Sequence, residues 1–265
     1  MNTSQFIQTI HDFRKKNRRD LEWRRTITPY NVFISEIMLQ QTQVARVTSA
    51  FPRFIMQFPD FNTLAGAAVA DVLGAWQGMG YNRRALYLKK TASIITEQYN
   101  GVLPQHPDVL QTFPAIGPTT ARSIVTFAFN KPTVFIETNI RRVFIHCFFN
   151  DHAEISDKEI LPLVEQTLDR TNPREWYYAL MDYGSYLAKI VENPNRKSTH
   201  YKKQSAFEGS MRYIRGQILK ILLKEKTLLK KELNIRINDR RFETIIAGLI
   251  KEGFVKEDDT MYSIV

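Results

Sequence analysis

The chain has 265 residues, 43% of them hydrophobic and 24% charged, with 37 Lys and Arg against 27 Asp and Glu and a formal net charge of +10. That composition suits one large globular domain, or a domain with a small module, around a real core. The basic balance favours polyanionic partners, nucleic acid above all, although a merely solvated basic surface gives the same total. Cys147 is the only cysteine, which excludes a disulfide, a Cys-ligated zinc or a Cys-ligated cluster within one chain. His11, His106, His146, His152 and His200 show no metal-ligand spacing. The opening residues lack the apolar core of a signal peptide and no run is long enough for a bilayer, so the expectation is a soluble cytoplasmic protein.

Phe6, Ile7, Ile10 and Phe13 share one face of a helix over residues 5–17, which ends in a basic patch at residues 14–19. Past Thr28-Pro29, a helix is expected from about Tyr30 to Ala50, with Val32, Phe33, Ile37, Leu39, Val44 and Val47 as its buried stripe. Glu36 lies amid these residues. A carboxylate there is costly unless paired or functional, and burial raises its pKa toward the range of a general acid. A Glu satisfied by a nearby Arg or by backbone fits the same pattern. Gln40, Gln41, Thr42 and Gln43 follow as hydrogen-bonding side chains that either read base edges or face water.

Short helices are expected at residues 61–64 and 69–77, then a turn, Gly78-Met79-Gly80-Tyr81-Asn82, and a helix from Arg83 to Tyr99. A tyrosine at such a tip, followed by Arg83 and Arg84, suits insertion into a base stack with phosphate contacts behind it. A ring packed at a helix corner is the alternative. Residues 105–112 and 120–129 read as two helical arms joined through Phe113-Pro114-Ala115-Ile116-Gly117-Pro118, with Gly117 expected to take the awkward φ. Thr119 and Thr120 open the second arm, where free N–H groups and the helix dipole favour a phosphate. An ordinary helical hairpin shares that pattern.

Glu137 sits near the start of a helix beginning at about Asn139, where amides and dipole stabilise a charged carboxylate, whether as an acidic cap or as a catalytic group. Helices are expected over 157–168 and 173–189, and a basic loop over 189–205. From Arg212, a helix to Lys224, a segment 228–233, a helix from about Asp239 to Glu252 and a hairpin turning at Asp258-Asp259 suggest a winged helix. Arg236, Arg240 and Arg241 lie near the start of its third helix, where a helix-turn-helix meets a groove.

Taken together, Thr28-Pro29-Tyr30, Ser35-Glu36, residues 38–44, Gly78–Tyr81, Pro114–Ala121, Asn139–Val143 and Ala179–Gly184 resemble the helix-hairpin-helix DNA glycosylases, most closely their adenine-specific mismatch branch. The resemblance covers roughly residues 1–190. It implies an all-α, two-lobed glycosylase domain over 1–211, with a six-helix lobe at about 27–131 and a second lobe of 1–26 plus 132–211. A winged-helix-like α+β module follows at 212–265. By that resemblance Glu36 matches the acid that protonates the departing purine. Glu137 matches the carboxylate that supports the sugar cation, where the family normally has Asp, and Asn139 an Asn beside it. Tyr81 matches the ring that wedges into the duplex, and Gln41 falls in the segment that fills the gap left by the flipped base. Gln40, Thr42, Arg83, Ile116, Gly117, Thr119 and Thr120 complete the implied DNA contacts. Thr119 stands where the bifunctional branch carries its Schiff-base Lys, so a monofunctional enzyme leaving an abasic site is expected.

The family's four cluster cysteines would fall within 189–203, which has none, so no iron–sulfur cofactor is expected and the basic loop is the candidate to take over its DNA contact. The domain that reads oxidised guanine in the adenine branch is not recognisable. The implied partner is duplex DNA with an adenine opposite 8-oxoguanine or G, bound by a monomer, with the C-terminal module meeting DNA or another protein. A thymine or uracil mismatch glycosylase, and a non-catalytic lesion- or structure-binding protein, are the alternatives.

Overall fold

The computed structural model describes residues 1–203 and 206–265, so the end of the expected basic loop lies outside the described residues. In chain order the helices are α1 (Thr3–Asn17), α2 (Glu22–Arg25), α3 (Pro29–Leu39), α4 (Val44–Gln57), α5 (Phe61–Gly66), α6 (Val69–Ala75), α7 (Arg83–Tyr99), α8 (Pro107–Leu110) and α9 (Pro118–Phe129). There follow α10 (Thr138–Phe148), α11 (Asp157–Thr167), α12 (Pro173–Ile190) and a 3-10 turn, Pro194–Lys197. The last elements are α13 (Met211–Glu225), β1 (Thr227–Leu229), α14 (Lys230–Ile237), α15 (Phe242–Lys251), β2 (Val255–Glu257) and β3 (Met261–Ile264). The described residues are mainly helical with one small sheet, as the periodicities predict.

Two compact units form, and several elements depart from the sequence expectation in instructive ways. The first unit takes residues 1–36, 105–112 and 116–203. Its core joins Phe6 and Ile10 of α1, Phe127 of α9, Phe135, Phe144 of α10, Ile160 of α11 and Trp176 and Tyr177 of α12. The α10–α12 pair is close because Gly184 has no side chain: a Cβ there would lie 2.5 Å from the Asn139 carbonyl oxygen. A buried ion pair ties α2 to α12, with Arg24 Nη1 donating to both oxygens of Asp182 at 2.9 Å. The Arg24 guanidinium also lies 4.1 Å over the Tyr178 ring.

The second unit takes residues 37–104, 113–115 and the described residues after 205. Phe54 of α4 meets Phe58 and Trp76, and α5 packs along α7. The C-terminal elements run helix, strand, helix, helix, strand, strand, the order of a winged helix, with an antiparallel sheet ordered β1-β3-β2. Ile214, Ile218 and Leu222 of α13 and Ile245 and Leu249 of α15 are buried, and Phe242 meets Tyr262 of β3. Asp258 Oδ1 accepts from the amides of Thr260 and Met261, which closes the hairpin where the sequence placed its turn.

The helix expected from Tyr30 to Ala50 is two helices, broken at residues 40–43, with Gln41 at φ +54°. Gly117 does not take the left-handed turn: its φ is −82°, and Ala115 at φ +60° bends the chain instead. The segment 228–233 divides between β1 and α14. Helix α15 starts at Phe242, because Asp239 turns its carboxylate onto the Arg241 amide and guanidinium. Arg236 accordingly belongs to α14, where it pairs with Glu225 and Glu232. The short α2 was not foreseen.

Candidate active site

Helix α3 carries Glu36 between the buried Ser35 and Ile37, and the second arm of the hairpin supplies its partner. Ser123 of α9, 4% exposed, places its Oγ 2.5 Å from Glu36 Oε2 and 3.0 Å from the Thr120 carbonyl oxygen. Glu36 keeps a solvent-facing side, yet protein surrounds it closely enough for desolvation to dominate. Burial drives its pKa up to about 7; the Ser123 hydrogen bond pulls against that, Glu137 adds to it, and Arg24 opposes it.

Glu137 is the N-cap of α10. Its Oε1 accepts from the Asn139 and Ile140 amides at 2.8 and 2.9 Å, and its Oε2 from Asn139 Nδ2 at 3.2 Å. Burial raises this carboxyl too, while the two amides and then Arg142 and Arg141 pull it back toward its charged form. Three N–H donors and the helix dipole favour ionisation here, against one hydroxyl at Glu36. The pair is thus asymmetric in its donors: burial raises both carboxyls, Glu36 to about 7, but Glu137 has three N–H groups to hold its charged form where Glu36 has one hydroxyl. Asn139 is itself held, since Arg142 Nη1 donates to its Oδ1 at 2.8 Å and to the Gly184 carbonyl at 2.9 Å.

In the second unit Arg84 organises the remaining candidates. Only 7% exposed, it donates to the carbonyls of Ile37, Met38 and Gln40 through Nη1, and through Nη2 to Thr42 Oγ1 and the carbonyls of Met79 and Gly80. It therefore pins the end of α3, the break at 40–43 and the loop carrying Tyr81, and it does not face phosphate as the Arg83-Arg84 pair suggested. Gln41 is exposed at its left-handed turn, while Gln40 Nε2 reaches the Ala115 carbonyl at 3.4 Å. Tyr81 is exposed at φ +47°, and Arg212 Nη1 donates to its hydroxyl at 3.2 Å. Two exposed residues in left-handed conformations are the kind of backbone strain that collects at binding sites. Arg83 is engaged by Glu252, which also takes Arg215.

At the hairpin, Gly117 is the N-cap of α9 and Pro118, Thr119 and Thr120 form its first turn, ahead of the Ala121 amide bonded to the Gly117 carbonyl. Ile116 is 4% exposed, which leaves its backbone as its candidate contribution. Thr119 is exposed and Thr120 half-buried. Ser123 has no local signal in the sequence, being a serine inside an apolar helix whose partner is 87 residues away. Arg84 was legible only as a charge, and Arg24 with Asp182 only as isolated polar residues. Among the described residues no group of three or more His, Cys, Asp or Glu could hold a metal ion.

Residues 34–168 match the family described as HhH-GPD superfamily base excision DNA repair protein. The adenine DNA glycosylase of Buchnera aphidicola subsp. Baizongia pistaciae is 35% identical over 202 residues, 73% of this chain and 56% of that protein, so the chain spans little more than half that relative's length. The adenine DNA glycosylase of Mycolicibacterium smegmatis is 33% identical over 224 residues, 77% of this chain and 76% of that protein. Among solved structures, a thermostable thymine-DNA glycosylase superposes with a TM-score of 0.63 at 24% identity, covering 74% of this chain and 91% of that one. An endonuclease III–DNA complex gives 0.59 at 19% identity, over 70% and 87%. These two likenesses establish the fold, and the sequence matches establish the lineage: the chain belongs to the HhH-GPD superfamily of base excision DNA repair proteins.

Proposed function

We propose that the chain is an adenine-specific DNA N-glycosylase acting on mispaired adenine in duplex DNA. The observation that carries the reading is the asymmetric carboxyl pair: Glu36, its pKa raised to about 7, and Glu137, held by the amides that open α10. Breaking an N-glycosidic bond moves an electron pair onto the base and leaves positive charge on the sugar. Glu36 gives its proton to a ring nitrogen of the base as the C1′–N bond breaks, and the Glu137 carboxylate faces the sugar cation. Water then adds to C1′ and its released proton restores Glu36. Such placement of acid and counter-charge is the division of labour found in glycoside hydrolysis.

The product and the flipping of the base follow from neighbouring residues. With Thr119 at the start of α9 there is no amine to attack C1′, so the product is an intact strand with an abasic site. Tyr81 and Gln41, both exposed and left-handed, are suited to enter the duplex beside a flipped nucleotide. Adenine opposite 8-oxoguanine or G is the proposed substrate; the names of the adenine-glycosylase relatives support adenine as the excised base, and the opposite base rests on the family resemblance alone.

The residues do not fit an iron–sulfur cluster. Cys147 is the sole thiol, and burial in α10 pushes its pKa up to about 11. Hydrogen bonds hold the corresponding segment instead: Asn195 Nδ2 to the Thr138 carbonyl at 3.0 Å, Lys197 Nζ to the Asn150 carbonyl at 2.5 Å, and the Ile155 amide to the Lys197 carbonyl at 2.8 Å. We read the protein as working without that cofactor.

The test is base release from duplexes pairing A with 8-oxoguanine or G, and T or U with G, with strand integrity scored in parallel. Adenine release without strand cleavage is the expected result. Release of T or U without A would replace the substrate assignment, and strand cleavage through an imine would overturn the monofunctional one. Binding without release from any duplex would leave a non-catalytic DNA protein.

A further inference from the structure

We propose that Ser123 is the positioning residue of the general acid, holding Oε2 of Glu36 so that the transferable proton sits on Oε1. This rests on the glycosylase reading and adds to it a residue on the hairpin's second helix. The hydroxyl has one hydrogen and two acceptors in reach, Glu36 Oε2 at 2.5 Å and the Thr120 carbonyl at 3.0 Å. Two proton arrangements are therefore available. In one, Ser123 donates to Oε2 and the acid proton occupies Oε1. In the other, Oε2–H donates to Ser123, Ser123 donates to Thr120, and the proton points into α9, out of reach of a base. The first is favoured because the Thr120 carbonyl lies inside the α9 hydrogen-bond ladder already, whereas among the described residues Ser123 is the donor that reaches Oε2.

The same hydrogen bond persists when Glu36 has given up its proton, because Ser123 then donates to a full carboxylate. A donor to the charged form makes the acid stronger. The groups around Glu36 are mixed in sign. Glu137 at the α10 cap opposes ionisation, Arg24 of α2 favours it, and the Tyr178 phenol of α12 is neutral, its own pKa raised by burial. Against the burial of Glu36, Ser123 supplies the largest opposing influence, ahead of Arg24. Without it the carboxyl stays protonated to higher pH and is a weaker acid.

The experiment is the pH dependence of single-turnover adenine release by the full chain, from about pH 5 to 9, for wild type, Ser123→Ala and Ser123→Thr. A general acid loses activity as pH rises through its pKa. In Ser123→Ala the alkaline limb should move up by about one unit and the rate below it should fall about tenfold, the loss of one hydrogen bond to a charged group. Ser123→Thr keeps the hydroxyl and should restore both. A lower rate with an unmoved limb, or a threonine variant that behaves as the alanine one, would overturn the proposal. If the wild type releases no base from any duplex, the glycosylase reading fails separately. Isotope-edited infrared titration of Glu36 then decides the Ser123 claim: a higher carboxyl pKa in Ser123→Ala upholds it, and an unchanged one refutes it.

Discussion

Glu36 carries its proton at a cost to the fold. A carboxyl whose pKa rises from 4.5 in the open chain to about 7 in the native protein is bound more tightly by protons in the folded state. Stability from this residue is fully present below the lower value and lost as pH climbs through the upper one. At about 1.36 kcal/mol per pKa unit, the loss by pH 8 is on the order of 3 kcal/mol. Glu36→Gln removes the ionisation, so it should stabilise the protein more at pH 8 than at pH 5. Thermal melts at the two pH values check this, and a variant that gains nothing at pH 8 would contradict the raised pKa. The cap at Glu137 was legible in the sequence, because a carboxylate just before a helix's first turn caps it by local geometry alone. Ser123 was out of reach for the opposite reason: its significance lies in a partner 87 residues away.

At the scale of elements, the break between α3 and α4 explains the limit of periodicity. Apolar spacing runs on from Tyr30 to Ala50, with no Gly or Pro between 40 and 43 to stop it. The interruption is imposed from α7, where Arg84 binds the carbonyls of Ile37, Met38 and Gln40 that a continuing helix would have used for its own amides. One buried guanidinium thereby shapes both the Gln41 turn and the Tyr81 loop. Arg84→Met should cost on the order of 3 kcal/mol in denaturant unfolding, as several buried carbonyls lose their donor. Arg84→Lys should rescue little of it, since an ammonium has no planar fork to serve these acceptors. Full stability in Arg84→Met would show that the break has another cause. The hairpin turn carries a similar lesson. The Pro-Ala-Ile-Gly-Pro pattern located the turn, but Gly117 became an extended cap and Ala115 absorbed the positive φ.

For the whole molecule, the net charge of +10 favours a polyanionic partner without saying where it would bind. Within the second unit the winged helix has three of its arginines engaged at home: Arg236 with Glu225 and Glu232, Arg241 with Asp239, and Arg215 with Glu252. Glu252 also pairs with Arg83, and if Arg83 is the phosphate ligand proposed for it, that pair competes with DNA. Glu252→Ala should therefore tighten duplex binding several-fold at low salt and steepen its salt dependence by about one charge. Filter binding across a salt series measures both, and weaker binding would mean that Glu252 serves mainly to hold α7 against the winged helix. No helix among the described residues is long and apolar enough to cross a membrane. The family blocks in residues 28–44 and 114–143 made the lineage legible, whereas the networks that tune and brace the carboxyl pair and the loops become visible only in the fold. The most direct test of the account is single-turnover release of adenine from an A:8-oxoguanine duplex by wild type and Glu36→Gln, with binding measured alongside. A loss of about a hundredfold or more with binding retained is the predicted result; release within a few-fold of wild type would contradict the assignment of Glu36 as the acid.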